Sequence, residues 1–256
     1  MPYLDRGGGA LYYEIYGNGP ALLLTHGYGS SSHMWAGQVA PFSRQFKLVL
    51  WDMRGHGRSS SPDDPSLYSE AASVADMAAL LDAAAAQTAV IGGLSLGGYM
   101  SLAFHLAHPT RTRALLIIDT GPGFRNDEAR ESWNTRANTI AGRFESEGLS
   151  RLANASIEQR DAAHTSAMGL ALAARGMLAQ CDARVIESLP KIKVPSLVIV
   201  GGNDAAFLKA SDYMAAKIPG TRKVVIADAG HAANIDQPDA FNQAVFSFLR
   251  EAGMGG

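Results

Sequence analysis

Ser95 lies in Gly93-Leu94-Ser95-Leu96-Gly97, after the apolar run Ala89-Val90-Ile91 and before a helix-compatible stretch. This is the GxSxG spacing of a nucleophile elbow, a strained strand-to-helix turn that holds one hydroxyl at a sheet edge while flanking glycines relieve crowding. A serine hydroxyl is a weak nucleophile at neutral pH, so it needs a base within hydrogen-bond reach and an acid that orients the base. His231, in Ala229-Gly230-His231-Ala232-Ala233-Asn234, follows the last strand-like run and is the candidate base. Two carboxylates compete for the acid: Asp204, in Gly201-Gly202-Asn203-Asp204, and Asp119, just before Thr120-Gly121-Pro122-Gly123. An oxyanion formed at such a site needs N–H donors fixed in advance. Leu96 supplies one, and Tyr28, in Thr25-His26-Gly27-Tyr28-Gly29, supplies the other.

These groups need a scaffold. Apolar runs at 21–25, 47–51, 89–91, 114–118, 196–200 and 223–227 read as buried strands, and the stretches 69–86, 96–108, 206–217 and 238–252 read as helices. Their alternation predicts an α/β fold with a mostly parallel sheet of about eight strands and helices on both faces. Gly7-Gly8-Gly9, between two strand-like pieces of 3–16, suits an antiparallel hairpin at one edge. Residues 123–189 break the rhythm with helix-like pieces and no convincing strand. Such an excursion reads as an inserted helical cap, dividing the chain into a core of 1–121 and 191–256 and a cap of 122–190. The glycine-rich C-terminal tail is expected to fray.

Composition removes other classes. The chain has 256 residues, 47% hydrophobic and 18% charged, enough for one globular domain with an insertion. A net charge of -2 with no Lys/Arg run offers nothing to nucleic acid or an anionic membrane. The start, Met1-Pro2-Tyr3-Leu4-Asp5-Arg6, has no signal-like apolar stretch, and no segment reaches the roughly 20 apolar residues of a membrane span. A soluble, cytoplasmic monomer or homodimer is expected. Cys181 is the single cysteine, which excludes an internal disulfide and a cysteine-based zinc site. No cofactor or metal is expected; His105 and His108 sit three apart on one predicted helix, but His108 precedes Pro109 at its end.

Taken together, the elbow, His26-Gly27, Asp52-Met53-Arg54-Gly55-His56-Gly57-Arg58-Ser59, and the turns at Asp204 and His231 resemble the α/β-hydrolase superfamily, in its capped esterases, lactonases and carbon–carbon bond hydrolases. The resemblance spans nearly the whole chain outside the cap. It implies the order nucleophile, acid, base as Ser95, Asp204, His231, and it favours Asp204 over Asp119. The chain departs from the pattern at two places. No proline follows Asp204, where Ala205-Ala206-Phe207-Leu208 stands, and the arginine that ring-cleavage hydrolases place ahead of the acid is replaced by Asn203. The second departure favours ester or lactone cleavage. Ser95 cannot form the alkyl-enzyme ester of dehalogenases and epoxide hydrolases, which use an elbow aspartate. Two alternatives stay open: carbon–carbon hydrolysis of a diketone or ring-cleavage product on the same triad, and a ligand receptor or binding module on a hydrolase fold.

Other residues invite plainer readings. Asp52, Arg54 and His56 read as a loop tied by hydrogen bonds, with Gly55 and Gly57 supplying turns. His26 reads as a brace. Tyr28, Phe124, Trp133 and Phe207 are candidates to line a substrate pocket, with Trp35 and Tyr99 behind them; core packing competes for most.

Overall fold

The computed structural model describes residues 3–254; Gly255 and Gly256, on which part of the fraying expectation falls, lie outside the described residues, and Met254 is buried. The strands are β1 (Tyr3–Asp5), β2 (Ala10–Tyr16), β3 (Ala21–Thr25), β4 (Lys47–Trp51), β5 (Ala89–Leu94), β6 (Thr112–Ile118), β7 (Ser196–Gly201) and β8 (Arg222–Ile226). They form one sheet in the order β1-β2-β4-β3-β5-β6-β7-β8. β1 and β2 pair antiparallel, β2 is antiparallel to β4, and the remaining neighbours are parallel. The central strands are apolar on both faces because helices cover both faces. Side chains alternate across the sheet: Leu22 and Leu24 enter one core cluster with Leu48, Leu50 and Leu116, whereas Leu23 enters the other with Val49, Ile91 and Leu115.

The helices are α1 (Ala36–Phe42), α2 (Glu70–Ala83), α3 (Leu96–Ala107), α4 (Asp127–Glu147), α5 (Ile157–Arg160), α6 (Ala167–Ala173), α7 (Arg184–Ser188), α8 (Ala205–Lys217), α9 (Ala233–Asp236) and α10 (Pro238–Glu251). Phe42 of α1 and Phe241, Val245 and Leu249 of α10 pack on one face; Met77 and Leu80 of α2, Met100 and Phe104 of α3 and Met214 of α8 pack on the other. Helix α1 is absent from the sequence expectation because Gly37 and Pro41 lie inside seven residues that read as a loop. Helix α2 starts where Ser69 Oγ accepts from Ala72 N, and α4 where Asn126 Oδ1 accepts from Ala129 N, both as N-caps.

Between β6 and β7 the described chain is helical, α4 through α7, with no strand. Ala141 and Phe144 of α4 and Leu170, Ala171 and Ala174 form a cluster of their own, with Tyr28 packed against it. Helix α7 differs, since its Val185 and Ile186 join the cluster of α2 and α3. No helix among the described residues is long and apolar enough to cross a membrane.

Candidate active site

Parallel pairing of β3, β5, β6, β7 and β8 brings their carboxyl ends to one rim, and the residues after these strands are those that carry Tyr28, Ser95, Asp119, Asp204 and His231. Open α/β sheets build their sites on this rim.

Ser95 sits between β5 and α3 with φ +56° and ψ −116°, a left-handed conformation that costs a side-chain-bearing residue about 1–3 kcal/mol. Surrounding bonds impose it. Ser95 N donates to Ile118 O at 2.9 Å, Ser95 O accepts from Tyr99 N at 3.0 Å, and Thr120 Oγ1 donates to Ser95 O at 2.6 Å. The glycines on either side are required by close approach. A Cβ on Gly97 would stand 2.2 Å from Thr25 O, and one on Gly93 would stand 2.4 Å from the Gly97 backbone. The obstacles are backbone atoms, so the fold cannot yield by rotating a side chain. Gly97→Ala is expected to destabilise the protein by about 3 kcal/mol or more, read by thermal unfolding; an unchanged melting temperature would show that the elbow is slack.

His231 Nδ1 lies 2.7 Å from Asp204 Oδ2. With Nδ1–H donating to that carboxylate, Nε2 keeps its lone pair. Burial opposes the imidazolium, but the Asp204 hydrogen bond and charge outweigh it and hold the His231 pKa above its ordinary value. Phe207 of α8 stacks on the imidazole, centroids 5.1 Å apart and planes 26° apart. Ser95 Oγ makes no hydrogen bond with another described residue, and such bonds are often loose before substrate arrives.

Asp119 is fully buried at φ +42°. Its Oδ1 accepts from Gly201 N at 2.7 Å, and its Oδ2 has no partner among the described residues. Burial pushes its pKa up to about 8. Asp119, Asp204 and His231 place one ligand atom each within 4.8 Å of one another, the only such group among the described residues, but an ion there would compete with the Asp204–His231 hydrogen bond.

The Gly27–Tyr28 peptide lies against Ser95, since a Cβ on Gly27 would stand 3.4 Å from Ser95 Cβ. Gly27 O accepts from Ser30 N at 3.1 Å and meets His26 Nδ1 at 2.7 Å, while Met53 N donates to His26 Nε2 at 2.9 Å. These partners place the His26 proton on Nδ1, and burial lowers its pKa to about 4, keeping the ring neutral. A planar trans peptide points its N–H opposite its C=O, so fixing Gly27 O also fixes the Tyr28 N–H. Leu96 opens α3, and the first N–H groups of a helix have no acceptor within it.

The remaining polar residues brace loops. Asp52 accepts from Ser32 N at 2.7 Å and Arg58 N at 2.8 Å, and the Arg54 guanidinium grips Asp76 of α2 through Nε at 2.7 Å and Nη2 at 3.0 Å. Of the aromatic candidates, Phe207 stacks on His231 and the Tyr28 loop adjoins Ser95. Phe124 and Trp133 pair with each other at 5.9 Å, Trp133 donating to Leu178 O. Trp35 corrects the pocket expectation: it is fully buried and packs on Phe241 in the core, on the α10 side of the sheet. Tyr99 is also buried, its hydroxyl donating to Glu70. His105 and His108 share no metal-like cluster with a third ligand among the described residues. Sequence reasoning missed Thr120, Gln159 and His164, which touch the site's backbone but sit in no recognisable spacing.

Residues 22–244 match the family model described as the alpha/beta hydrolase family. The chain belongs to that family. This hydrolase is similar to 3-oxoadipate enol-lactonase 1 of Acinetobacter baylyi, with 29% identity over 267 residues covering 96% of this chain and 95% of the relative. Among solved structures it resembles the enol-lactonase of Burkholderia xenovorans, with a TM-score of 0.80 and 30% identity covering 97% and 100% of the two chains. It also resembles a thermophilic esterase of Thermogutta terrifontis, with a TM-score of 0.83 and 29% identity covering 98% and 97%.

Proposed function

We propose that this hydrolase cleaves a carboxylic ester or lactone of a small molecule through an acyl-enzyme. The 2.7 Å pairing of His231 with Asp204, on the rim that presents Ser95, carries this reading. Ser95 Oγ attacks the carbonyl carbon and its proton passes to His231 Nε2, while Asp204 stabilises the imidazolium. The oxyanion is held by the N–H groups of Leu96 and Tyr28. Collapse expels the alkoxide oxygen, which takes the proton from His231; in a lactone it stays tethered to the acyl chain. Water then gives its proton to His231 and attacks the acyl carbon; the second collapse breaks the bond to Ser95 Oγ, which takes the proton back from His231 as the acid leaves. The names of the lactonase and esterase relatives support this substrate class.

In this reading residues 122–190 are the cap: α4 to α6 lie over the Tyr28 loop and α7 rests on the core. Phe207, Phe124, Trp133 and Tyr28 border the acyl or alcohol group. A fluorophosphonate probe is expected to label one residue, Ser95, identified by peptide mass. A panel of esters, lactones and diketones then ranks substrates. An unlabelled Ser95, with no ester or lactone turned over, would refute the reading; a diketone turned over far faster than any ester would move it to carbon–carbon hydrolysis.

A further inference from the structure

Three consecutive residues of the oxyanion loop are held by the segment between α4 and the end of α6. Gln159 Nε2 donates to Tyr28 O at 3.2 Å, His164 Nε2 meets Gly29 O at 2.8 Å, and Ser30 Oγ donates to Glu158 O at 3.1 Å. The Tyr28 hydroxyl donates to Leu170 O at 2.8 Å, and its ring packs edge-on against His56 at 5.5 Å and Phe144 at 6.4 Å. His164 also joins two core loops, because its Nδ1 accepts from Gly57 N at 2.9 Å. That bond leaves the proton on Nε2, the atom that donates to Gly29 O. Burial holds the His164 pKa below its ordinary value, so the neutral ring that both bonds require is kept. Ala163, just before it, is held at φ +51°, a strained conformation that persists only where surrounding contacts impose it.

Together with the His26 hydrogen bond to Gly27 O, these contacts fix the carbonyls of Gly27, Tyr28 and Gly29 in succession. We propose that Gln159 and His164 are positioning residues for the oxyanion hole: Gly27 O, held from the core, sets the direction of the Tyr28 N–H, and the clamp on the next two carbonyls holds the Tyr28–Gly29 turn so that this N–H keeps its place against the reacting oxygen. Neither touches the reacting atoms, and the inference rests on the ester or lactone hydrolase reading above. The clamp makes the hole a joint product of the core and the inserted segment: when that segment lifts, the turn that carries the donor is held from the core side only. An oxyanion donor acts in the transition state more than in the ground state, so loosening it lowers kcat with little change in KM.

The test compares wild type with Gln159→Ala, His164→Ala, His164→Asn and the double alanine variant, on an activated short-chain ester. Each is also titrated with an alkyl boronic acid, which forms a tetrahedral adduct with an active serine. Thermal unfolding screens for variants that lose their fold. The expected result is a kcat about 10-fold lower for each single alanine variant, which loosens the donor without removing it, and about 100-fold lower for the double, the lower end of the range for losing one oxyanion donor. KM should stay within about twofold and boronate affinity should fall in parallel with kcat, because uniform binding is untouched. Asparagine, whose amide can accept from Gly57 N, should recover part of the loss. Folded variants with wild-type kcat and boronate affinity would overturn the clamp, as would a loss confined to KM. A wild-type enzyme that hydrolyses no ester or lactone and leaves Ser95 unlabelled would overturn the hydrolase reading instead.

Discussion

Replacing Ser95 by alanine is expected to lower kcat/KM for an activated ester by at least about 1,000-fold, a loss of about 4 kcal/mol of transition-state stabilisation. The remaining rate would come from the oxyanion donors and substrate binding, which act without a nucleophile. The backbone adds a second readout. At φ +56° the Ser95 Cβ is strained, and alanine keeps that Cβ, so Ser95→Ala should melt close to wild type. Ser95→Gly removes it, releasing about 1–3 kcal/mol of strain against about 0.5–1 kcal/mol of added chain entropy. The glycine variant should therefore melt about 2–4 °C higher per kcal/mol gained while being equally inactive. This opposition of stability and activity is what a conformation kept for chemistry produces. An alanine variant with full activity would remove Ser95 from the mechanism, and a glycine variant melting below alanine would remove the strain from the elbow.

The parts of the molecule visible in the sequence are those governed by local rules. The runs at 21–25 and 47–51 match β3 and β4 residue for residue, because a strand buried on both faces is apolar along nearly all its length, with Thr25 and Lys47 only at strand ends. The elbow is visible for the same kind of reason, since backbone contact at Gly93 and Gly97 admits no side chain. Asp204 and His231 follow β7 and β8, which pair in parallel, so topology alone brings them to one rim. What sequence could not reveal depends on partners far along the chain. Asp76 as the partner of Arg54 and Phe241 as the neighbour of Trp35 follow from tertiary packing, with no periodicity to announce them. His164 and Gln159 reach the Tyr28 loop across more than a hundred residues, from a segment whose turns follow neither the 3.6 nor the 2 repeat. Helix α1 was hidden by its own Gly37 and Pro41.

The two carboxylates near His231 are separable by charge state. Asp204 holds Nδ1 at 2.7 Å, whereas burial raises Asp119 to about 8, leaving it mostly protonated at neutral pH. A neutral acid cannot stabilise an imidazolium as a carboxylate does. Asp204→Asn should therefore lower kcat by about 1,000- to 10,000-fold, the cost of losing the acid that fixes the histidine tautomer. It should also move the acid limb of the kcat/KM profile. In the proposed mechanism His231 works as a neutral base, so a raised pKa puts that limb above 6.5 in wild type, with activity rising as pH increases through it. Without Asp204 burial prevails, and the limb should shift to lower pH. Asp119→Asn keeps an oxygen for Gly201 N and a side chain that tolerates φ +42°, so kcat should stay within about tenfold. Its signature belongs to stability. A carboxyl whose folded pKa is raised from 3.8 to about 8 favours the fold while protonated, and that contribution is lost as pH rises from the lower value through the upper. Asparagine cannot ionise, so the variant's melting temperature should gain on wild type between pH 5 and pH 9. If Asp119→Asn loses activity and Asp204→Asn keeps it, the acid of this site stands at the end of β6 and the hydrogen bond to Asp204 serves packing alone.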